Sequence, residues 1–158
     1  MRKLTENTII YLIKKLKDKV ESKKKIMKLM FLIEHYDPEE GKLTKTKSIG
    51  NTFEIYYYGV FSKEVMECFD KLVKENVVEE FPIKLKKEVE PKLEDALKRK
   101  IDKIIEKFGN KSGIELEIET LNMLGIKPYE KEKYFGLKVE EIISKMAYVN
   151  YHPSKMNG

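Results

Sequence analysis

Apolar residues at the start of the chain recur at helical spacing. Ile9, Ile13, Leu16 and Val20 share one face, widened by Ile10 and Leu12, which predicts an amphipathic helix over residues 6–20 capped by Thr5 or Asn7. A second helix is expected over 23–36 behind Ser22. Its run Leu29-Met30-Phe31-Leu32-Ile33 is apolar most of the way round, the pattern of a central helix packed on several sides. Asp37-Pro38 should end it, since a residue before proline disfavours the helical region. Residues 38–51 are polar and turn-rich and read as a loop.

The period then changes from 3.6 to 2. Phe53, Ile55 and Tyr57 alternate with Glu54, Tyr56 and Tyr58, predicting a half-buried strand broken by Gly59. Ser62 is placed to cap a helix to about Asn76, with Val65, Phe69, Leu72 and Val73 as its core stripe. Two short strands follow around Pro82, at 77–81 and 83–86. Pro91 fits the first turn of a long helix to Phe108, with Leu93, Leu97, Ile101, Ile104 and Ile105 inward. Ser112 should cap a further helix closed by Gly125, and a last helix is expected over 139–147. The fold class expected is α+β and helix-rich: a winged-helix-like helical core, a small antiparallel sheet and additional C-terminal helices. One globular domain over 1–149 and a flexible tail over 150–158 are expected.

Composition narrows the function. The chain has 158 residues, 41% hydrophobic and 37% charged, which suits one well-buried core under a highly charged surface. Thirty of its 32 basic residues are lysine, and it has twenty-two Glu and no Gln. Such Lys/Glu enrichment fits either a hyperthermophile or AT-rich codon usage. With two arginines, the planar fork that reads bases and phosphates bidentately is nearly missing. The lone Cys68 excludes a disulfide framework within one chain and points to the cytoplasm. No signal peptide is legible, and no apolar run approaches the ~20 residues of a membrane span.

The net charge of +5 is uneven: residues 1–28 hold ten basic and three acidic residues, and residues 62–80 three basic and six acidic. Lys14, Lys15, Lys17, Lys23, Lys24, Lys25 and Lys28 therefore form a candidate phosphate-contacting patch, or else the solvated face of a Lys-rich protein. The helix from Ser62, where a winged-helix DNA reader would present its recognition residues, offers Lys63, Glu64, Glu67, Asp70, Lys71, Lys74 and Glu75. Acidic groups there would be held against phosphate, so base-specific reading by this helix is not expected.

No catalytic or metal constellation emerges. Only His35 and His152 are available, so no His-rich metal site can be built, and Cys68 reads as a small buried residue. No Gly-rich phosphate loop, nucleophile elbow or Cys-x-x-Cys pair occurs. The expectation is a chain with no enzyme activity and no cofactor. The densest aromatic cluster, Tyr56-Tyr57-Tyr58 with Phe53 and Phe61, fits either an interface hot spot or a sheet covered on both faces.

Three stretches together resemble the Panacea domain of SocA-like antitoxins and the neighbouring YwgA-like proteins. They are KKIMKLMFLIEHYD (24–37), FEIYYYGVFSKEVMECFDKLVKENVVEE (53–80) and LKRKIDKIIEKFGNKSGIELEIET (97–120), and Tyr58-Gly59-x-Phe61-Ser62 is the most specific piece. The resemblance implies a compact helical domain with a small sheet, acting as an antitoxin or adaptor that binds another protein. Tyr56, Tyr58, Gly59, Phe61, Ser62, Glu67 and Lys71 are the partner-binding candidates. The alternative is a winged-helix-like nucleic-acid-binding regulator using the lysine patch; a second copy of the chain is a further candidate partner.

Overall fold

The computed structural model describes residues 2–151, without the side chains of 147–151. It is α+β and helix-rich, with three two-stranded antiparallel sheets in place of the single sheet expected. The elements in order are α1 (Arg2–Leu16), α2 (Lys23–His35), β1 (Tyr36–Asp37), β2 (Lys42–Leu43), β3 (Glu54–Tyr56), β4 (Gly59–Phe61), α3 (Lys63–Lys74), β5 (Val78–Glu80), β6 (Ile83–Leu85), α4 (Asp95–Phe108), α5 (Gly113–Met123), a 3-10 segment (Pro128–Tyr134) and α6 (Val139–Tyr151). β1 pairs with β2, β3 with β4 and β5 with β6, each pair joined by a short connection.

α2 is the centre of the fold. Leu29 to Ile33 are essentially inaccessible, and burial continues through Glu34 and His35, so the fully apolar run does mark a helix packed all round. α1, α4 and α5 pack around it. The three serine caps fall where expected, whereas Thr5 and Asn7, expected to cap α1, lie inside it. Ser22, Ser62 and Ser112 each accept from the backbone N–H three residues on, and Ser112 completes a capping box with Glu115. α1 is displaced from its expected bounds: it runs from Arg2 to Leu16, and Lys17, at φ 55°, turns the chain out of the helix. α4 starts at Asp95 and not near Pro91, because Pro91 and Leu93 are spent packing against the body and the backbone is still extended at Glu94.

The largest difference lies in the tyrosine stretch. The expected single strand over 53–58 is a hairpin: Glu54, Ile55 and Tyr56 pair with Phe61, Val60 and Gly59, and Tyr57-Tyr58 form the turn. Gly59 therefore begins the return strand, at φ 86°, a left-handed conformation that glycine adopts without steric cost. Phe53, Ile55 and Val60 are in the core, but Tyr57, expected on the same face, is 70% exposed because it sits at the turn. α6 extends to Tyr151, beyond the expected end at Ala147. Residues 152–158 of the expected tail lie outside the described residues.

Candidate interaction site at the tyrosine hairpin

The hairpin tip is held by charged side chains that the sequence disperses over three elements. Lys28, on the inner face of α2, is 2% exposed; its ammonium donates to the carbonyl of Tyr58 and, at 2.8 Å, to that of Val60. It thus straddles Gly59. Burial lowers its pKa to about 7, against the opposing pull of Glu117. One turn earlier on α2, Lys24 meets Glu117 of α5 at 2.9 Å and lies 4.6 Å from the centroid of the Tyr58 ring. Lys131, from the 3-10 segment, reaches the other oxygen of Glu117 at 3.2 Å. Burial alone would raise the Glu117 carboxyl, but the bonds to Lys24 and Lys131 outweigh it and hold the pKa below the ordinary range. Space over Gly59 is correspondingly tight: a Cβ there would sit 3.3 Å from the Glu117 Cγ and 3.5 Å from Leu121.

Both edges of the hairpin are occupied. On the β3 side, Ile55 N–H donates to Leu137 O, Gly136 N–H to Ile55 O and Val139 N–H to Phe53 O. On the β4 side, Lys28 takes the carbonyls of Tyr58 and Val60, and Ser62 N–H meets the Met27 sulfur at 3.4 Å. An added strand finds no free ladder here, so recognition at this place has to use side chains. Tyr57 packs edge-on against Phe135 at 4.9 Å, and Tyr56 against Phe61 at 6.0 Å. Tyr58, 67% exposed, rests under Lys24. The tip is thus a pair of outward aromatic rings on a braced backbone.

Comparison with family models, curated proteins and solved structures returns no match.

The remaining partner-binding candidates divide. Gly59 and Ser62 are buried and serve the turn and the α3 cap. Glu67 and Lys71 lie on the far side of α3, where Glu67 pairs with Arg2 at 2.6 Å and Lys71 with the buried Glu6 at 3.0 Å. The lysine candidates also divide. Lys25 is buried and donates to Lys19 O and Gly109 O, the latter at the end of α4; burial lowers its pKa. Lys14 pairs with Glu90, Lys23 with Glu80, and Lys15 lies over the Tyr11 ring. Lys25 and Lys28 are therefore internal, and the seven do not form one open patch.

Glu34 and the Nδ1 of His35 are likewise engaged by the backbone. Glu34 accepts from the N–H groups of Ile49, Gly50 and Asn51 at 2.5, 3.0 and 2.7 Å, shaping the loop that precedes β3. His35 Nδ1 donates to Thr44 O at 2.9 Å, and burial lowers its pKa, which keeps the ring neutral at physiological pH. Cys68 is buried, and burial raises its thiol. Among the described residues no cluster of three or more His, Cys, Asp or Glu is arranged to hold a metal, and no helix is long and apolar enough to cross a membrane. Sequence reasoning placed Tyr57 in the aromatic cluster but not among the partner-binding candidates, and it missed Glu117 and Lys131. Glu117 is one of twenty-seven acidic residues with nothing local to distinguish it.

Proposed function

We propose that the chain is a non-enzymatic protein-interaction module that docks a partner protein through Tyr57 and Tyr58, with Tyr56 and Phe61 at the margin. The observation that carries this reading is the contrast between two widely exposed rings and the buried Lys28 that fixes the turn bearing them. Exposed aromatics on a rigid backbone are the form of an interface hot spot, since little conformational entropy is lost on docking. The engagement of Lys28, Glu34 and His35 by backbone groups supports a structural role for the buried ionisable side chains, and a module without chemistry of its own. The unpaired Cys68 supports a reducing, cytoplasmic setting.

The order α3–β5–β6 supports a winged-helix-like core, a helix followed at once by a two-stranded ribbon. Within that reading the recognition-helix face carries Glu67 and Lys71 in ion pairs to α1 and does not offer free base-reading groups. The burial of Lys25 and Lys28 favours a protein partner over the nucleic-acid alternative. An antitoxin or adaptor role rests on the resemblance of the three quoted stretches to the Panacea domain. The test is co-purification from the native host with the wild-type chain and with Tyr57→Ala/Tyr58→Ala. A specific protein retained by the first and lost by the second supports the reading; equal retention by both contradicts it.

A further inference from the structure

At the other end of α2, about 16 Å along the helix axis from Lys24, the structure holds a second feature unconnected with the hairpin. A cavity of about 550 Å³ opens between α4 and the loop that follows β2. Arg99, Lys100 and Lys103 of α4 line one wall; Thr44, Thr46 and Ser48 line the other. The three cations recur at i, i+1 and i+4, and Arg99 and Lys103 stand one turn apart.

These cations contrast with the lysines of α2, each of which meets a carboxylate or a carbonyl. Arg99, one of only two arginines, has no hydrogen bond or ion pair with any described residue. Lys100 has no carboxylate in contact among the described residues; its one polar partner is the Ser48 hydroxyl oxygen at 2.5 Å. Because Ser48 accepts that bond, its own O–H is left to donate. Thr44 is in the same position, its Oγ1 accepting from Thr46 N–H at 3.3 Å. The cavity therefore presents a guanidinium, an ammonium and hydroxyl donors without an internal counter-charge in contact with them.

The two carboxylates that also line the cavity are already engaged. Asp37 accepts from the N–H groups of Glu39 and Glu40 at 2.9 and 3.2 Å, and Glu39 pairs with Lys103. Their charge works against an extended polyanion, whereas a single compact phosphate needs contact only with Arg99 and Lys100 on the α4 wall. We propose that this cavity binds a small phosphate monoester, its phosphate held by Arg99 and Lys100 and by the hydroxyls of Thr44, Thr46 and Ser48. The guanidinium fork matches two phosphate oxygens, and the lysine supplies a point charge beside them. Burial lowers the pKa of Lys100, with Glu34 and Asp37 opposing, and a bound phosphate would add the counter-charge in contact that it lacks.

The full chain is titrated with a nucleoside monophosphate, the parent nucleoside, inorganic phosphate and a single-stranded oligonucleotide, followed by calorimetry and amide NMR shifts. Saturable binding of the monophosphate at about 1 mM or tighter is expected, with shifts at 44–48 and 99–103. Inorganic phosphate should bind through the same residues more weakly, and the nucleoside should not bind. Arg99→Ala and Lys100→Met should each weaken binding at least about tenfold while the circular dichroism spectrum is kept, and Tyr58→Ala should leave it unchanged. The proposal is overturned by absence of saturable binding, by equal binding of the nucleoside, by insensitivity to Arg99→Ala, or by binding of the oligonucleotide alone.

Discussion

The amine of Lys28 donates to the carbonyl of Tyr58, so a buried lysine on the central helix holds the backbone from which an exposed ring projects. A lysine read from sequence as part of a surface patch is in fact an internal brace. This inversion links the fold to the proposed binding surface, because the position of the ring depends on a residue that no partner can touch.

Lys28→Met keeps the volume and the apolar stem but leaves the carbonyls of Tyr58 and Val60 without their shared donor. A loss of about 1–3 kcal/mol is expected at pH 9, where the wild-type amine is mostly neutral and still donates. Urea denaturation of the two proteins at that pH measures it.

The pH dependence has a definite sign. The Lys28 pKa is about 7 in the fold and about 10.5 in the unfolded chain, so the unfolded state binds more protons between these values. The stability contributed by its neutral form is fully present above the unfolded value and is lost as pH falls through 7. Wild-type stability should therefore rise from pH 7 to about 9.5 by up to a few kcal/mol, and Lys28→Met should show a flatter profile. Parallel profiles in urea titrations at pH 6, 8 and 9.5 would remove Lys28 from this role.

Gly59→Ala places a side chain at φ 86° and brings its Cβ to 3.3 Å from Glu117 Cγ. A cost of about 1–2 kcal/mol for the backbone conformation alone is expected, with further loss if the Glu117 contacts to Lys24 and Lys131 shift. Thermal unfolding reports the first, and loss of the amide shifts around Tyr57 and Tyr58 reports the second.

Cys68 is buried and its thiol is raised by that burial, so a thiol reagent should modify the native protein slowly and the urea-unfolded protein at once. Fast labelling of the native chain at neutral pH would contradict the placement of α3 on its apolar stripe.

Much of the architecture was legible locally. Ser22, Ser62 and Ser112 announce their helices because capping is a contact between residues three apart. The run Leu29 to Ile33 announces the central helix because burial on all sides leaves no polar face. The tyrosine hairpin was misread for an equally physical reason: period-2 alternation continues through a two-residue turn, so Tyr56-Tyr57-Tyr58 looks like one strand until pairing is known. The bracing of the tip was not legible at all. It joins Lys28, Glu117 and Lys131 across more than a hundred residues, and in a chain with 37% charged residues no pair distinguishes itself. The same abundance made the N-terminal lysines look like one surface, although Lys25 and Lys28 point inward to carbonyls.

The central claim is that the hairpin tip is a binding surface, and photo-crosslinking in the native host tests it most directly. A benzophenone-bearing phenylalanine analogue is placed at position 57, at position 58, or at position 81, where the β5–β6 turn exposes Phe81 by 82%. The account predicts a discrete adduct with the same protein from positions 57 and 58 and none from 81. No adduct at the tip, or the same adducts from all three positions, would contradict it.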